Sequence, residues 1–120
     1  MKNVTLVFGA SLKEDRYSNI AINRLRDKEL KVMAYGLREG VVADVEIDTE
    51  LVHYDDIDTV TLYLNPKRQK EYYSYILNLQ PRRVIFNPGT ENNEFQQLLV
   101  ENGIIAEVAC TLVLLSINQY

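Results

Sequence analysis

The chain reads as an α/β domain: a doubly wound, mainly parallel five-stranded sheet with helices on both faces. Three observations predict this class. Short apolar runs recur at residues 4–8, 31–35, 59–64, 83–86 and 104–109, the pattern of strands buried on both faces. Segments with helical spacing of apolar residues separate most of them, which implies parallel strands joined by right-handed crossovers. Two of the strands run straight into a glycine-containing turn that opens a helix.

Residues 4–8 are apolar and bounded by Gly9, so they form a buried first strand. Residues 17–30 place Tyr17, Ile20, Ala21 and Leu25 at helical spacing, with Arg24, Arg26 and Lys28 outside. A second strand over 31–35 ends at Gly36. Residues 37–48 are rich in acids and glycine and read as a loop with a short edge strand around 45–47. Residues 59–64 are β-branched and apolar, hence a strand. Pro66 suits the first turn of the helix that follows over 67–79, which carries Tyr72, Tyr73, Tyr75, Ile76 and Leu79 and stops at Pro81. Residues 83–86 are the next strand. The turn 87–92 leads to a helix over 93–102 that Gly103 closes. A last strand over 104–109 and a closing helix over 111–118 complete the order.

The length of 120 residues suits one domain spanning 1–120, and 47% apolar residues are enough for a core. A net charge of −4 leaves no overall basic footprint, so nucleic acid is not an expected partner. The single cysteine, Cys110, excludes an internal disulfide. With no signal-peptide pattern, this points to a cytoplasmic protein. The longest strongly apolar stretch, 104–117, is broken by Glu107, Thr111 and Ser116 and is too short to cross a bilayer. One histidine, His53, flanked by Tyr54, Asp55 and Asp56, reads as a surface residue, and no Cys/His cluster suggests a metal.

In a doubly wound sheet the ligand crevice lies at the carboxyl ends of the strands. That rim collects Gly9-Ala10-Ser11, Gly36, Leu64-Asn65-Pro66, the run Asn87-Pro88-Gly89-Thr90-Glu91-Asn92, and Cys110. Unpaired backbone N–H groups at a helix start favour an anion there. The dinucleotide fingerprint is missing, because Gly9 stands alone and Ser11 takes the second glycine's place. The second strand ends in Tyr35-Gly36-Leu37-Arg38, with no acid for ribose hydroxyls. Arg38 there suits an extra ribose phosphate, which both NADP and coenzyme A carry. No Walker A lysine pattern is present.

Several of these residues have a plain structural reading beside the functional one. Gly9 permits a tight turn and also lets a ligand approach the backbone. Ser11 and Ser18 are either helix caps or hydroxyls offered to phosphate. Arg16 stands near a helix start, where an acid suits the dipole better, so an anion facing it is the favoured reading; Lys13 has a weaker claim. Lys67, Arg68 and Lys70 read as a solvated charge run, and Tyr72, Tyr73 and Tyr75 as core and flank. A Pro-Gly turn and an N-cap explain Pro88, Gly89 and one polar neighbour, but not all of Asn87, Thr90, Glu91 and Asn92. Cys110 reads as a small buried residue, with a thiol near the reactive end of the ligand as the other reading.

Gly9-Ala10-Ser11, Arg16-Tyr17-Ser18, the segment Thr61 to Pro66, the segment Val84 to Asn92, and Ala109-Cys110-Thr111-Leu112-Val113-Leu114-Leu115 together resemble the small bacterial CoA-binding proteins. Those are single Rossmann-like domains, similar to the CoA-binding N-terminal domain of the succinyl-CoA synthetase α subunit. Many relatives carry prolines after the Gly-Ala-Ser turn, where this chain has Leu12, Lys13 and Glu14. Many have Val-Asn-Pro-Lys after the second strand, where it has Tyr35-Gly36-Leu37-Arg38. The resemblance implies coenzyme A or an acyl-CoA as ligand, and Asn65-Pro66 as part of the CoA groove. The expected role is binding without catalysis, as no nucleophile, acid–base pair or metal set is apparent. The alternatives are a subunit of a CoA ligase or acyl-transfer complex, with a protein partner or a second copy, and an NADP-binding redox protein.

Overall fold

The alternation of side chains along the first strand decides where the helices go. Leu6 and Phe8 join one apolar cluster with Ile76, Leu79, Phe95 and Leu99, whereas Val7 joins another with Ile22, Leu25 and Leu115. The sheet is therefore covered on both faces, as its apolar strands require. The computed structural model describes residues 2–120. The elements are β1 (Val4–Ala10), α1 (Tyr17–Asp27), β2 (Lys31–Gly36), β3 (Gly40–Val42), β4 (Val45–Asp48) and β5 (Ile57–Leu62). Then come α2 (Pro66–Gln69), a 3-10 turn (Lys70–Tyr72), α3 (Tyr73–Leu79), β6 (Arg83–Phe86), α4 (Asn93–Glu101), β7 (Ile105–Val108) and α5 (Thr111–Ser116).

The sheet order is β3-β4-β2-β1-β5-β6-β7, with every neighbouring pair parallel except β3 and β4. Helices α1 and α5 lie on one face, and α3 and α4 on the other. Because β1 lies between β2 and β5, the chain reverses its direction of winding between β1 and β5. A crevice opens at such a reversal. Among the described residues, no helix is long and apolar enough to cross a membrane.

The sheet has seven strands, which corrects the expected five. The two additional strands form a hairpin: β4 is the short edge strand expected around 45–47, and β3 lies where the sequence suggests a loop. Strand β4 pairs with β2 through Ala34↔Ile47 and Tyr35↔Asp48, and β3 closes the edge antiparallel to β4. Strands of three and four residues are too short to show a period. The hairpin turn also lacks its usual signature, since Ala43 rather than Gly or Asn takes the left-handed φ of 55°. The expected helix over 67–79 is broken into α2, the 3-10 turn and α3. Strand β5 begins two residues before the apolar run that announced it, at Ile57.

Candidate functional site

A cavity of about 800 Å3 opens at the carboxyl ends of β1, β2 and β5, roofed by the start of α1 and by the turn after β6. That volume lies in the range of small-molecule sites, which is roughly 300–1,000 Å3. Its charged lining consists of Lys13, Arg16, Arg38 and Arg68, with no Asp or Glu. None of these four cations belongs to an ion pair among the described residues, which pair Arg26 with Asp44, His53 with Asp55, Arg82 with Asp58 and Arg83 with Glu107. A chain of net charge −4 thus gathers four unpaired cations around one cavity.

The start of α1 adds to this field. Arg16 occupies the N-cap position in extended conformation without a side-chain cap, and no acid stands in the first turn. The N–H groups of Tyr17 and Ser18 have no acceptor within the helix and carry the positive end of its dipole. Ser11 is partly committed to the turn: its Oγ accepts from Lys13 N–H at 3.1 Å and its carbonyl from Asn19 Nδ2 at 3.0 Å. Ser18 lines the cavity although it is almost fully buried.

Three glycines at the rim serve different ends. Gly9 has φ 98°, which a side chain would strain. A Cβ on Gly36 would stand 2.3 Å from the Ala10 carbonyl oxygen, so this glycine lets β1 and β2 approach. Gly89 has φ 92° and open space where a Cβ would project. It leaves the backbone bare at the cavity wall.

The strand ends bring together Gly9, Ala10, Ser11, Lys13, Arg16, Ser18, Gly36, Arg38, Asn65, Pro88, Gly89 and Thr90 as lining residues. Pro66, Asn87, Glu91, Asn92 and Cys110 stand outside the lining. Pro66 opens α2, and Asn65 caps it by accepting from Arg68 N–H at 3.1 Å. Asn87 is buried and works as a brace. Its Nδ2 donates to Thr61 Oγ1 at 2.7 Å and to the Leu62 carbonyl at 2.8 Å, and its Oδ1 accepts from Thr111 N–H at 2.9 Å. Thr90 lines the wall but its hydroxyl donates to the Asn87 carbonyl at 2.7 Å. Glu91 accepts from Gly89 N–H at 2.8 Å. Asn92 caps α4 by accepting from Phe95 N–H, and donates to Gln69 Oε1 and to the Tyr73 hydroxyl. The polar run after β6 thus spends most of its side chains on holding its own turn.

The sequence reading missed Arg68 and the tyrosines of the cavity. Arg68 is exposed, as a solvated charge run implies, and it also lines the cavity. The available signal was its position three residues after the N-cap Asn65, which keeps it near the mouth of the turn. Tyr35, Tyr63 and Tyr72 also line the cavity. Tyr35 stacks on Phe8 at 4.8 Å between centroids, with Tyr72 edge-on to both. The hydrogen bond to Tyr35, followed by burial, pushes the Tyr72 phenol upward. Burial pushes Tyr63 up to about 12, against a lowering influence of the Thr61 and Thr111 hydroxyls, and its buried hydroxyl makes no well-formed hydrogen bond among the described residues.

These residues fit a polyanion that also presents an apolar or aromatic part. The fold and the cavity define a Rossmann-like α/β domain. The chain belongs to the CoA binding domain family, which matches residues 3–116. It is similar to a crystal structure of an uncharacterized protein, at 42% identity and TM-score 0.96, covering 100% of this chain and 99% of that one. A hypothetical protein from Pyrococcus horikoshii OT3 is similar at 26% identity and TM-score 0.79, covering 93% of this chain and 80% of that one. The fold also recurs in an acetyl-coenzyme A synthetase from Ca. Korarchaeum cryptofilum, at 11% identity and TM-score 0.71, covering 91% of this chain and 26% of that one. No curated protein gives a match to the chain.

Proposed function

We propose that residues 1–120 act as one cytoplasmic domain that binds coenzyme A or an acyl-CoA in this cavity and performs no chemistry on it. The observation that carries the reading is the set of four unpaired cations, with no acid, in a cavity of a chain from the CoA binding domain family. In this reading the diphosphate meets the start of α1 together with Ser11, Lys13 and Arg16. Arg38 and Arg68 take the ribose phosphate from the other walls. Gly9, Ala10, Gly36, Asn65, Gly89 and Thr90 shape the groove. Binding without turnover is supported by the place of Glu91, the carboxylate of the rim run 87–92, which stands outside the cavity lining.

The test is a thermal-shift panel of CoA, dephospho-CoA, acetyl-CoA, NAD, NADP and ATP. CoA is expected to raise Tm, and dephospho-CoA to raise it less. A flat response to all six sinks the reading, and a response to NADP without one to CoA replaces it with a redox-related role. Arg38→Ala is expected to narrow the difference between CoA and dephospho-CoA, and replacing Arg68 as well to erase it.

A second reading has one observation in its favour, the recurrence of this fold as about a quarter of the acetyl-coenzyme A synthetase chain. In it the domain is the CoA-binding part of a ligase whose remaining parts are a separate chain. Recovery of an ATP-dependent partner from host extract, with CoA-ester formation only in the reconstituted pair, supports it.

A further inference from the structure

The loop from Ser11 to Arg16 carries two of the four cavity cations but holds itself poorly. Residues Leu12 to Arg16 are exposed, and the loop contains no proline. Its own bonds are Arg16 N–H to the Lys13 carbonyl and Lys13 N–H to Ser11 Oγ, both 3.1 Å. A loop of this kind samples many conformations when free, and ordering it on binding subtracts from affinity.

Besides the bond from Asn19 Nδ2 to the Ser11 carbonyl, one long-range contact restrains it. The Leu12 side chain lies directly on the backbone of Gly40, the first residue of β3. A Cβ at position 40 would stand 2.4 Å from Leu12 Cδ2 and 2.8 Å from Cδ1. Gly40 does not have a left-handed φ, so its backbone alone does not call for glycine. The Leu12 methyls occupy the space a side chain would take, so an added methyl would make the leucine turn away. Leu12 lines the cavity; Gly40 does not.

The hairpin behind Gly40 is itself anchored. Gly40 pairs with Ile47, which is buried in the core, and β4 pairs with β2. At the other end of the hairpin, Asp44 accepts a two-point contact from Arg26 of α1, at 2.8 and 2.9 Å. A rigid support therefore runs from the core through β4 and Gly40 to Leu12, next to Lys13.

We propose that the β3–β4 hairpin is a positioning element for the ligand: Gly40, outside the cavity, holds Leu12 and through it sets Lys13 and Arg16 at the cavity mouth. The ligand arm of the test rests on the reading of the cavity as a CoA site, and the protease arm does not. Gly40→Ala is expected to weaken CoA binding by about five-fold or more in isothermal titration, through loss of preorganisation. In the ligand-free protein it is expected to speed limited trypsin cleavage after Lys13 and Arg16. In a Leu12→Ala background the same substitution is expected to cost less than about two-fold, because the new methyl then fills space the leucine has left. Val100→Ala, an exposed site on α4 at the opposite edge of the sheet and outside the cavity lining, is the control and leaves binding unchanged.

If Gly40→Ala does not fold, Leu12→Ala alone decides through the cleavage rate of its free loop, and an unchanged rate overturns the proposal. Wild-type cleavage rates and wild-type CoA affinity in Gly40→Ala also overturn it, as does an equal loss in both backgrounds. A wild-type protein that ignores CoA defeats the functional reading, while the trypsin arm still judges the hairpin.

Discussion

Gly36 and the cavity arginines show opposite relations between a residue and its surroundings. Gly36 is constrained by backbone: the Ala10 carbonyl oxygen lies where a Cβ would project, at 2.3 Å, and a sheet interior cannot move aside cheaply. Gly36→Ala is therefore expected to destabilise the fold by about 2 kcal/mol or more, read as a lowered urea midpoint; an unchanged midpoint refutes the clash. Arg16, Arg38 and Arg68 belong to no ion pair among the described residues. Replacing each with Ala is expected to leave Tm nearly unchanged and to weaken CoA by about ten-fold, the effect of one charge-assisted hydrogen bond. Loss of fold stability in these variants, with affinity retained, would mark them as structural. Arg16 was legible in the sequence because a cation at a helix start is misplaced unless it faces an anion. Arg68 was not, because a run of three basic residues on a helix looks the same whether or not one of them turns toward a cavity.

Among elements, the turn after β6 joins site and scaffold. Asn87 ties β6 to β5 and to the first residue of α5 through three hydrogen bonds of one buried side chain. Asn87→Ala leaves Thr111 N–H and the Leu62 carbonyl without that partner inside the protein. A loss of about 2–3 kcal/mol is expected by urea denaturation, with Asn87→Asp failing to restore it because a carboxylate cannot donate to the Leu62 carbonyl. The sequence singled this turn out for its density of hydrogen-bonding side chains. The density was real, but much of it was spent inside the turn, and pattern alone does not reveal where a side chain is spent.

Two ion pairs contribute to the acid response. Arg82 beside Asp58 holds that carboxyl below its ordinary value of 3.8, and Arg26 does the same for Asp44. A folded pKa below the unfolded one contributes stability that is complete above 3.8 and is lost as pH falls through the lower folded value. The midpoint gap between wild type and Asp58→Asn is accordingly expected to be larger near neutrality than at a pH of about 3. An equal gap at both pH values removes the pair from the acid response.

For the whole molecule, the distribution of charge matters more than its sum. The net charge of −4 repels an anionic ligand at long range, while the cavity cations attract it at close range. Binding of CoA is expected to weaken as salt rises from about 0.05 to about 0.5 M, because the exposed cations are screened over a few ångströms at the higher value. A salt-independent affinity would assign the binding to the aromatic and apolar walls instead.

By itself the sequence determined the α/β class, the order of the main strands and helices, and the rim on which most of the cavity lies. These follow from apolar periodicity and from glycine and proline at turns, which are properties of neighbouring residues. The tertiary structure decided the edge strand β3 and the pairing of the hairpin with β2, the place of Arg68 and the tyrosines in the cavity, and the contact of Leu12 with Gly40. Each depends on residues far apart in the chain meeting at a particular distance. The hairpin has strands too short to show a period and a turn residue, Ala43, that hides the bend. Its meaning lies in what it touches, and contact is a property of packing rather than of order along the chain.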